Sequence, residues 1–380
     1  MSIFQLKISI MYYRLFYLLL FVAFSSCKQS EKTSARKEIH TYQSTDSVFN
    51  YSGRVLEDSS NHSAELISAA SSVQFQASGD KLDLHLKAVA PHHAFAVVEV
   101  DGNYMNRYQV AGDSVSTISI PLKKEGFQKI KIFKATEAST GKLFFIDAKA
   151  DTLKAFSEKK DFKIEFIGNS ITSGMGDDES DLPCGEGEWY DQHNAYWAYG
   201  PRVARALNAE YMLSSVSGMG MYRNWNDEDQ PVMPDVYQTL SLDGDTTRLR
   251  DFKKFQPDLI SICLGTNDLS DGDGEKEREA FSQKKYEENY TKFIESLYEK
   301  FPSVKIALLT SPMIDPTSEK GKLLESSLKA IKAKFERNHT IALYEFEKMN
   351  PTGCGHHPSI EGHTVMAENL IPFYKELLNQ

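Results

Sequence analysis

The chain reads as an α/β protein in two parts, a small antiparallel β domain followed by a domain with a mainly parallel sheet covered by helices on both faces. Two changes of pattern lead to this reading. Between about Val48 and Ala150 apolar residues recur at every second position, and no helix signal of useful length interrupts them. After residue 160 strands and helices alternate, the pattern of βα units. A third observation sets aside the N-terminus, where residues 1–27 have the charge and hydropathy of an export signal. The segments expected are therefore 1–27, a tether over 28–47, a β domain over 48–155 and an α/β domain over 160–380, with the boundary near Lys154 to Lys160.

The whole composition limits what such a protein can do. Its 380 residues, 41% of them apolar, suffice for two domains with proper cores. A formal charge of −10 and a pI near 5.6 argue against a nucleic-acid partner, which needs a basic face.

In the leader, Lys7 and Arg14 precede an apolar run from Leu15 to Phe24 that is too short to span a bilayer. Phe24-Ser25-Ser26 then lead into Cys27 in a way that resembles a bacterial lipobox, which makes Cys27 the expected lipidated residue. The protein is then expected to be exported and lipid-anchored to a bacterial membrane, on the periplasmic or cell-surface side. A plain secretory signal with an incidental cysteine is the alternative. From Lys28 to about Asp46 the chain is polar and of mixed charge, with too few apolar residues to offset the entropy of ordering.

The β domain is marked by Val73 and Phe75, by Leu82, Leu84 and Leu86, by Ile118 and Ile120, and by Ile130 and Ile132, with turns such as Asp101-Gly102-Asn103. In the α/β part, strands are expected at 163–168, 211–216, 259–265, 304–310 and 340–344. Helices are expected at 198–208, at about 281–300 and 318–338, and at about 360–378. Pro201 suits a first helical turn, and Tyr286, Tyr290, Phe293, Ile294, Leu297 and Phe301 recur at helical spacing.

In such a sheet ligands gather at the carboxyl ends of the strands, and three short blocks fall there. Phe166-Ile167-Gly168-Asn169-Ser170 breaks a β-run at a glycine and presents a serine. Ser217-Gly218-Met219-Gly220 and Leu264-Gly265-Thr266-Asn267-Asp268 follow, and His356-His357-Pro358 lies near the C-terminus. In this order the blocks supply Ser, Gly, Asn and His. The chain from about 160 to 380 thereby resembles the SGNH hydrolase superfamily, the GDSL-like esterases. The stretches Trp189 to Gln192, Tyr196 to Pro201 and Ser217 to Trp225 resemble carbohydrate esterase family 2 in particular. That branch carries an N-terminal β-sandwich of jelly-roll type before a three-layer α/β/α hydrolase domain, which matches the division at about 155.

The resemblance implies a serine esterase that removes O-acetyl groups from polysaccharides or oligosaccharides of the xylan or glucomannan type through an acyl-enzyme. Ser170 is the expected nucleophile and His357 the base. The oxyanion hole is expected from the Ser170 and Gly218 N–H groups and the Asn267 side-chain amide. In extended backbone only one of His356 and His357 faces Ser170, and the position of Pro358 favours His357. His363, in the first turns of the last helix, reads as structural. Trp189, Trp197 and Trp225 are candidates to stack on sugar.

Two departures from the superfamily pattern stand out. Asn169 occupies the usual aspartate position before the serine, and Gly355 and Cys354 occupy the positions two and three before the base, where an aspartate is common. A Ser-His dyad is therefore expected, with a backbone carbonyl orienting the imidazole. Cys354, His356, His357 and His363 do not match common zinc spacings, and no cofactor or metal is expected. Cys263 lies in an apolar run and reads as a buried thiol; Cys184 and Cys354, both in loops near the site, are expected to pair. The missing acid leaves open a glycan-binding lipoprotein without turnover, and an esterase or lipase acting on another small ester is the other alternative.

Overall fold

A computed structural model describes residues 38–89, 93–123, 125–226 and 231–379. Cys27 and residues 28–37 of the expected tether lie outside the described residues.

Among the described residues twelve strands form the N-terminal part: β1 (His40–Gln43), β2 (Asn50–Ser52), β3 (Val55–Asp58), β4 (Ser63–Leu66), β5 (Ser72–Ser78), β6 (Lys81–Lys87), β7 (Ala94–Val100), β8 (Asn103–Val110), β9 (Ser116–Pro121), β10 (Gln128–Lys134), β11 (Leu143–Ala150) and β12 (Thr152–Lys154). They make two antiparallel sheets, one in the order β3-β4-β11-β6-β9 with β1 on β11, the other β12-β5-β10-β7-β8 with β2 on β5. The alternating apolar residues meet between the sheets, where Phe49 lies edge-on to Phe75 and Phe145.

The tether expectation extended too far into the chain. Residues 40–43 pair in register with 147–150 of β11, so their backbone groups are satisfied by a sheet edge, and Tyr42 packs on the sandwich core. Four residues of low hydrophobicity are ordered here by pairing and not by their own burial.

In the second part, β13 (Phe162–Gly168), β14 (Ala209–Ser215), β15 (Leu259–Cys263), β16 (Lys305–Leu309) and β17 (Ile341–Tyr344) form a parallel sheet in the order β14-β13-β15-β16-β17. Its helices are α1 (Ser170–Ser173), α2 (Tyr199–Ala206), α3 (Met233–Val236), α4 (Gln283–Lys300), α5 (Glu319–Phe335) and α6 (Ile360–Asn379). α2 and α6 bury Val203, Leu370 and Tyr374 in one core, and α4 and α5 bury Tyr286, Leu297 and Ile331 in another. The chain reverses direction across the sheet at β13, which places the switch point between β13 and β15, where open α/β sheets bind ligands.

A buried polar network joins the sandwich to the hydrolase part. Arg54, between β2 and β3, donates to Ser214 Oγ at 3.0 and 3.2 Å and to the carbonyls of Thr239 at 2.6 Å and Tyr237 at 3.0 Å. Ser214 in turn donates to Glu165 on β13, which Arg250 grips with two bonds of 2.5 and 2.9 Å. Once buried, such charges are strongly destabilising to leave unpaired, so the network ties the two parts together.

Candidate active site

Ser170 opens α1 directly after β13, and the Asn169 side chain caps that turn by accepting from the Ile171 N–H at 3.1 Å. Asparagine thus does the capping work expected of an aspartate, without its charge. The helix after the serine is a single turn, shorter than the strand-to-helix pattern suggests.

His357 approaches from the C-terminal loop. Its Nε2 lies 2.8 Å from Ser170 Oγ, and its Nδ1 lies 2.8 Å from the Gly355 carbonyl oxygen. A carbonyl can only accept, so Nδ1 carries the proton and Nε2 is free to accept from the serine. Gly355 reaches this geometry with φ of 61°, in the left-handed region that glycine enters freely. Burial holds the His357 imidazole below its usual pKa, while the backbone bonds at Gly355 and Cys354 pull the other way. The neighbouring His356 is exposed.

The loop is fastened where it carries the imidazole. Cys354 is bonded to Cys184, and its N–H donates to the Gly176 carbonyl at 2.7 Å. The bridge connects the loop that carries His357 to the segment that holds Trp189. Cys263 is a buried free thiol, raised to about 12 by burial.

Gly218 follows β14 with φ of 80°, and a Cβ there would come within 2.8 Å of the Trp225 ring. Backbone conformation and the Trp225 contact both call for glycine at this position. Asn267 follows β15 and donates one amide hydrogen to the Met219 carbonyl at 2.8 Å, leaving the second for the cavity it lines. Beside it Asp268 is fully buried and accepts the N–H groups of Met221, Tyr222 and Arg223 at 2.8–3.3 Å. Burial pushes its carboxyl up to about 6, opposed by those donors.

Ser170, Gly218, Asn267 and His357 all line one cavity of about 880 Å³, as do Trp189 and Trp225. The two tryptophans are 50% and 40% exposed, so their ring faces are open to a ligand. Trp197 is not among the lining residues. Its ring packs on Tyr104 at 5.0 Å and Tyr196 at 4.7 Å under the Arg202 guanidinium, in an aromatic cluster between the sandwich and the hydrolase part. Its position in an aromatic-rich stretch did not distinguish stacking on protein from stacking on sugar.

Sequence reasoning missed Glu137. It lies beyond β10, has no exposed surface, and accepts from the Ser217 N–H at 3.0 and 3.1 Å and from Ser217 Oγ at 2.6 Å. A single glutamate after a strand carries no motif that would have marked it.

Comparison with known proteins agrees with this architecture. Residues 164–370 match the GDSL-like lipase/acylhydrolase family, and residues 51–159 match the carbohydrate esterase 2 N-terminal domain. An acetylxylan esterase / glucomannan deacetylase of Cellvibrio japonicus is 30% identical over 257 residues, covering 65% of this chain and 68% of that protein. The cellulase/esterase CelE of Acetivibrio thermocellus is 29% identical over 82% of this chain but only 37% of its own length. A family two carbohydrate esterase from Clostridium thermocellum, solved in complex with cellohexaose, superposes with a TM-score of 0.75 at 25% identity, covering 87% of this chain and 99% of that one. The chain belongs to the GDSL-like lipase/acylhydrolase family, as a carboxylic ester hydrolase that carries the carbohydrate esterase 2 N-terminal domain.

Proposed function

We propose that the chain is a serine esterase that removes O-acetyl groups from polysaccharides or oligosaccharides of the xylan or glucomannan type, through an acyl-enzyme and a Ser-His dyad. The observation that carries this reading is the hydrogen-bonded series from Ser170 Oγ through the His357 ring to the Gly355 carbonyl, opening on the cavity. The named activities of the Cellvibrio japonicus relative support the substrate class.

In this reading Ser170 Oγ attacks the acetyl carbonyl carbon while His357 Nε2 takes its proton. The negative charge that develops on the carbonyl oxygen meets the N–H groups of Ser170 and Gly218 and the free amide hydrogen of Asn267. The intermediate collapses, the sugar oxygen leaves with the proton from His357, and acetate stays esterified to Ser170. Water, deprotonated by His357, then releases acetate and restores the serine. Trp189 and Trp225 offer apolar faces beside this chemistry for a sugar ring.

Export and a lipid anchor at Cys27 fit a substrate too large to enter a cell. Loss of membrane association in Cys27→Ala is expected; its retention would remove the anchor from the reading. The decisive assay is acetate release from a panel of acetylated glycans, with Ser170→Ala as control. Release that survives the substitution would overturn the assignment of the nucleophile.

A further inference from the structure

We propose that Glu137, a residue of the N-terminal sandwich, is a positioning residue for the hydrolase reaction, holding Ser217 by its backbone N–H and hydroxyl so that the next N–H along the chain, that of Gly218, faces the developing oxyanion. This rests on the reading of Gly218 as an oxyanion donor. The loop after β14 has no regular structure to orient its peptides, and several groups around Gly218 are tied by different partners. The Ser217 N–H and Oγ go to the Glu137 carboxylate. The Gly218 carbonyl accepts the Trp225 N–H at 2.9 Å, and the Met219 carbonyl accepts from Asn267 at 2.8 Å. Gly220 N–H donates to Asn224 Oδ1 at 3.3 Å, and Asp268 takes the three N–H groups that follow, from Met221 to Arg223. With its neighbours committed, the Gly218 N–H keeps no acceptor among the described residues and stands at the cavity wall.

A carboxylate is a demanding choice for this place. Glu137 has no exposed surface, and burying a charge is unfavourable unless hydrogen bonds satisfy it. Its oxygens accept from Ser217 twice over and from the Ser139 hydroxyl. The ammonium of Lys134, also buried, is near enough to attract it. Charge-assisted bonds of this kind are about twice as strong as neutral ones, and the peptide they hold is the one next to the proposed donor. Ser139, from the same turn of the sandwich, lines the cavity itself. The sandwich therefore completes the site as well as bracing the fold.

The test compares kcat and KM for an aryl acetate in Glu137→Gln, Glu137→Ala and Ser170→Ala, with thermal unfolding of each. Glutamine keeps the volume but turns one acceptor into a donor, so the Ser217 N–H retains at most one partner. A fall in kcat of about 5- to 10-fold with KM within twofold is expected for glutamine. For alanine the expected loss approaches the roughly 100-fold that removal of an oxyanion donor produces, with glutamine the partial rescue. If alanine does not fold, the glutamine variant alone decides. Glutamine with unchanged kcat, or a loss expressed only in KM or in the folded fraction, overturns the proposal. An inert Ser170→Ala in that case leaves the esterase mechanism standing, whereas an active one removes the basis of both.

Discussion

His357 Nδ1 lies 2.8 Å from the carbonyl oxygen of Gly355, a residue at one of the positions where the superfamily commonly places an aspartate. A carbonyl dipole selects the tautomer but brings no negative charge to the imidazolium. Glu361 is the carboxylate nearest in sequence, and it accepts from Ser359 Oγ at 3.0 Å. We expect Glu361→Gln to stay within twofold of the parent in kcat/KM. His357→Ala should lose about 10⁴-fold, the scale seen when a triad is disabled. Comparable losses in the two variants would refute the dyad.

The pH profile follows from the same ring. Burial, the larger influence, lowers the His357 pKa from about 6.5, and among the described residues no carboxylate is bonded to it to raise it. The base works when neutral, so lowering its pKa extends activity towards acid. The acid limb of kcat/KM should have its midpoint below about 6.5. A midpoint above 7 would point to a carboxylate behind the imidazole.

Asn267 combines a loop contact with the proposed donor role. Its bond to the Met219 carbonyl is one of several that hold the loop, Asp268 alone accepting three N–H groups there. Asn267→Ala should therefore fold, with kcat reduced on the order of 10²–10³-fold. A near-native rate in a folded variant would exclude the amide from the oxyanion site.

The strands of both parts were legible because their apolar residues follow the period of the sheet each occupies. Val73 and Phe75 alternate on β5, and Leu259 to Cys263 are wholly buried on β15. The candidate site was legible where its residues are local to a block: Ser170, Gly218, Asn267 and His357 each follow a recognisable strand end or motif, and all line one cavity. The Cys184–Cys354 bridge apart, contacts between distant segments were not. β1 is ordered by pairing 107 residues or so along the chain, Arg54 and Glu137 act across the junction of the two parts, and Trp197 turns its ring into that junction. None of these leaves a periodic or spaced pattern in its own neighbourhood.

The Cys184–Cys354 bridge closes a sequence separation of 170 residues. Chain-entropy scaling assigns a loop of that length about 5 kcal/mol of stabilisation through the unfolded state. Cys354 also adjoins Gly355, whose carbonyl holds the His357 ring. Cys184→Ser with Cys354→Ser should lower the unfolding temperature and also reduce kcat in the folded enzyme. A variant that is less stable but has native kcat would show that the other backbone bonds, such as Cys354 N–H to Gly176, hold the loop alone.

His363 supplies a prediction about acid stability that is separate from catalysis. It has no exposed surface, its Nδ1 accepts the Tyr199 N–H at 3.3 Å, and its ring stacks on Tyr199. Burial, with Arg202 and His357 nearby, lowers its pKa to about 3. Between about 6.5 and 3 the unfolded chain therefore binds a proton at this position that the native protein does not, so stability falls as the pH falls. Asp177 has the opposite sign, since burial raises its carboxyl, and total stability mixes the two. Subtracting the stability of His363→Phe cancels the terms that the two proteins share, that of Asp177 among them. The parent should lose about 1 kcal/mol per pH unit relative to the variant across that window. Urea unfolding of both proteins at several pH values measures it, and a flat difference would show that His363 becomes charged in the native state.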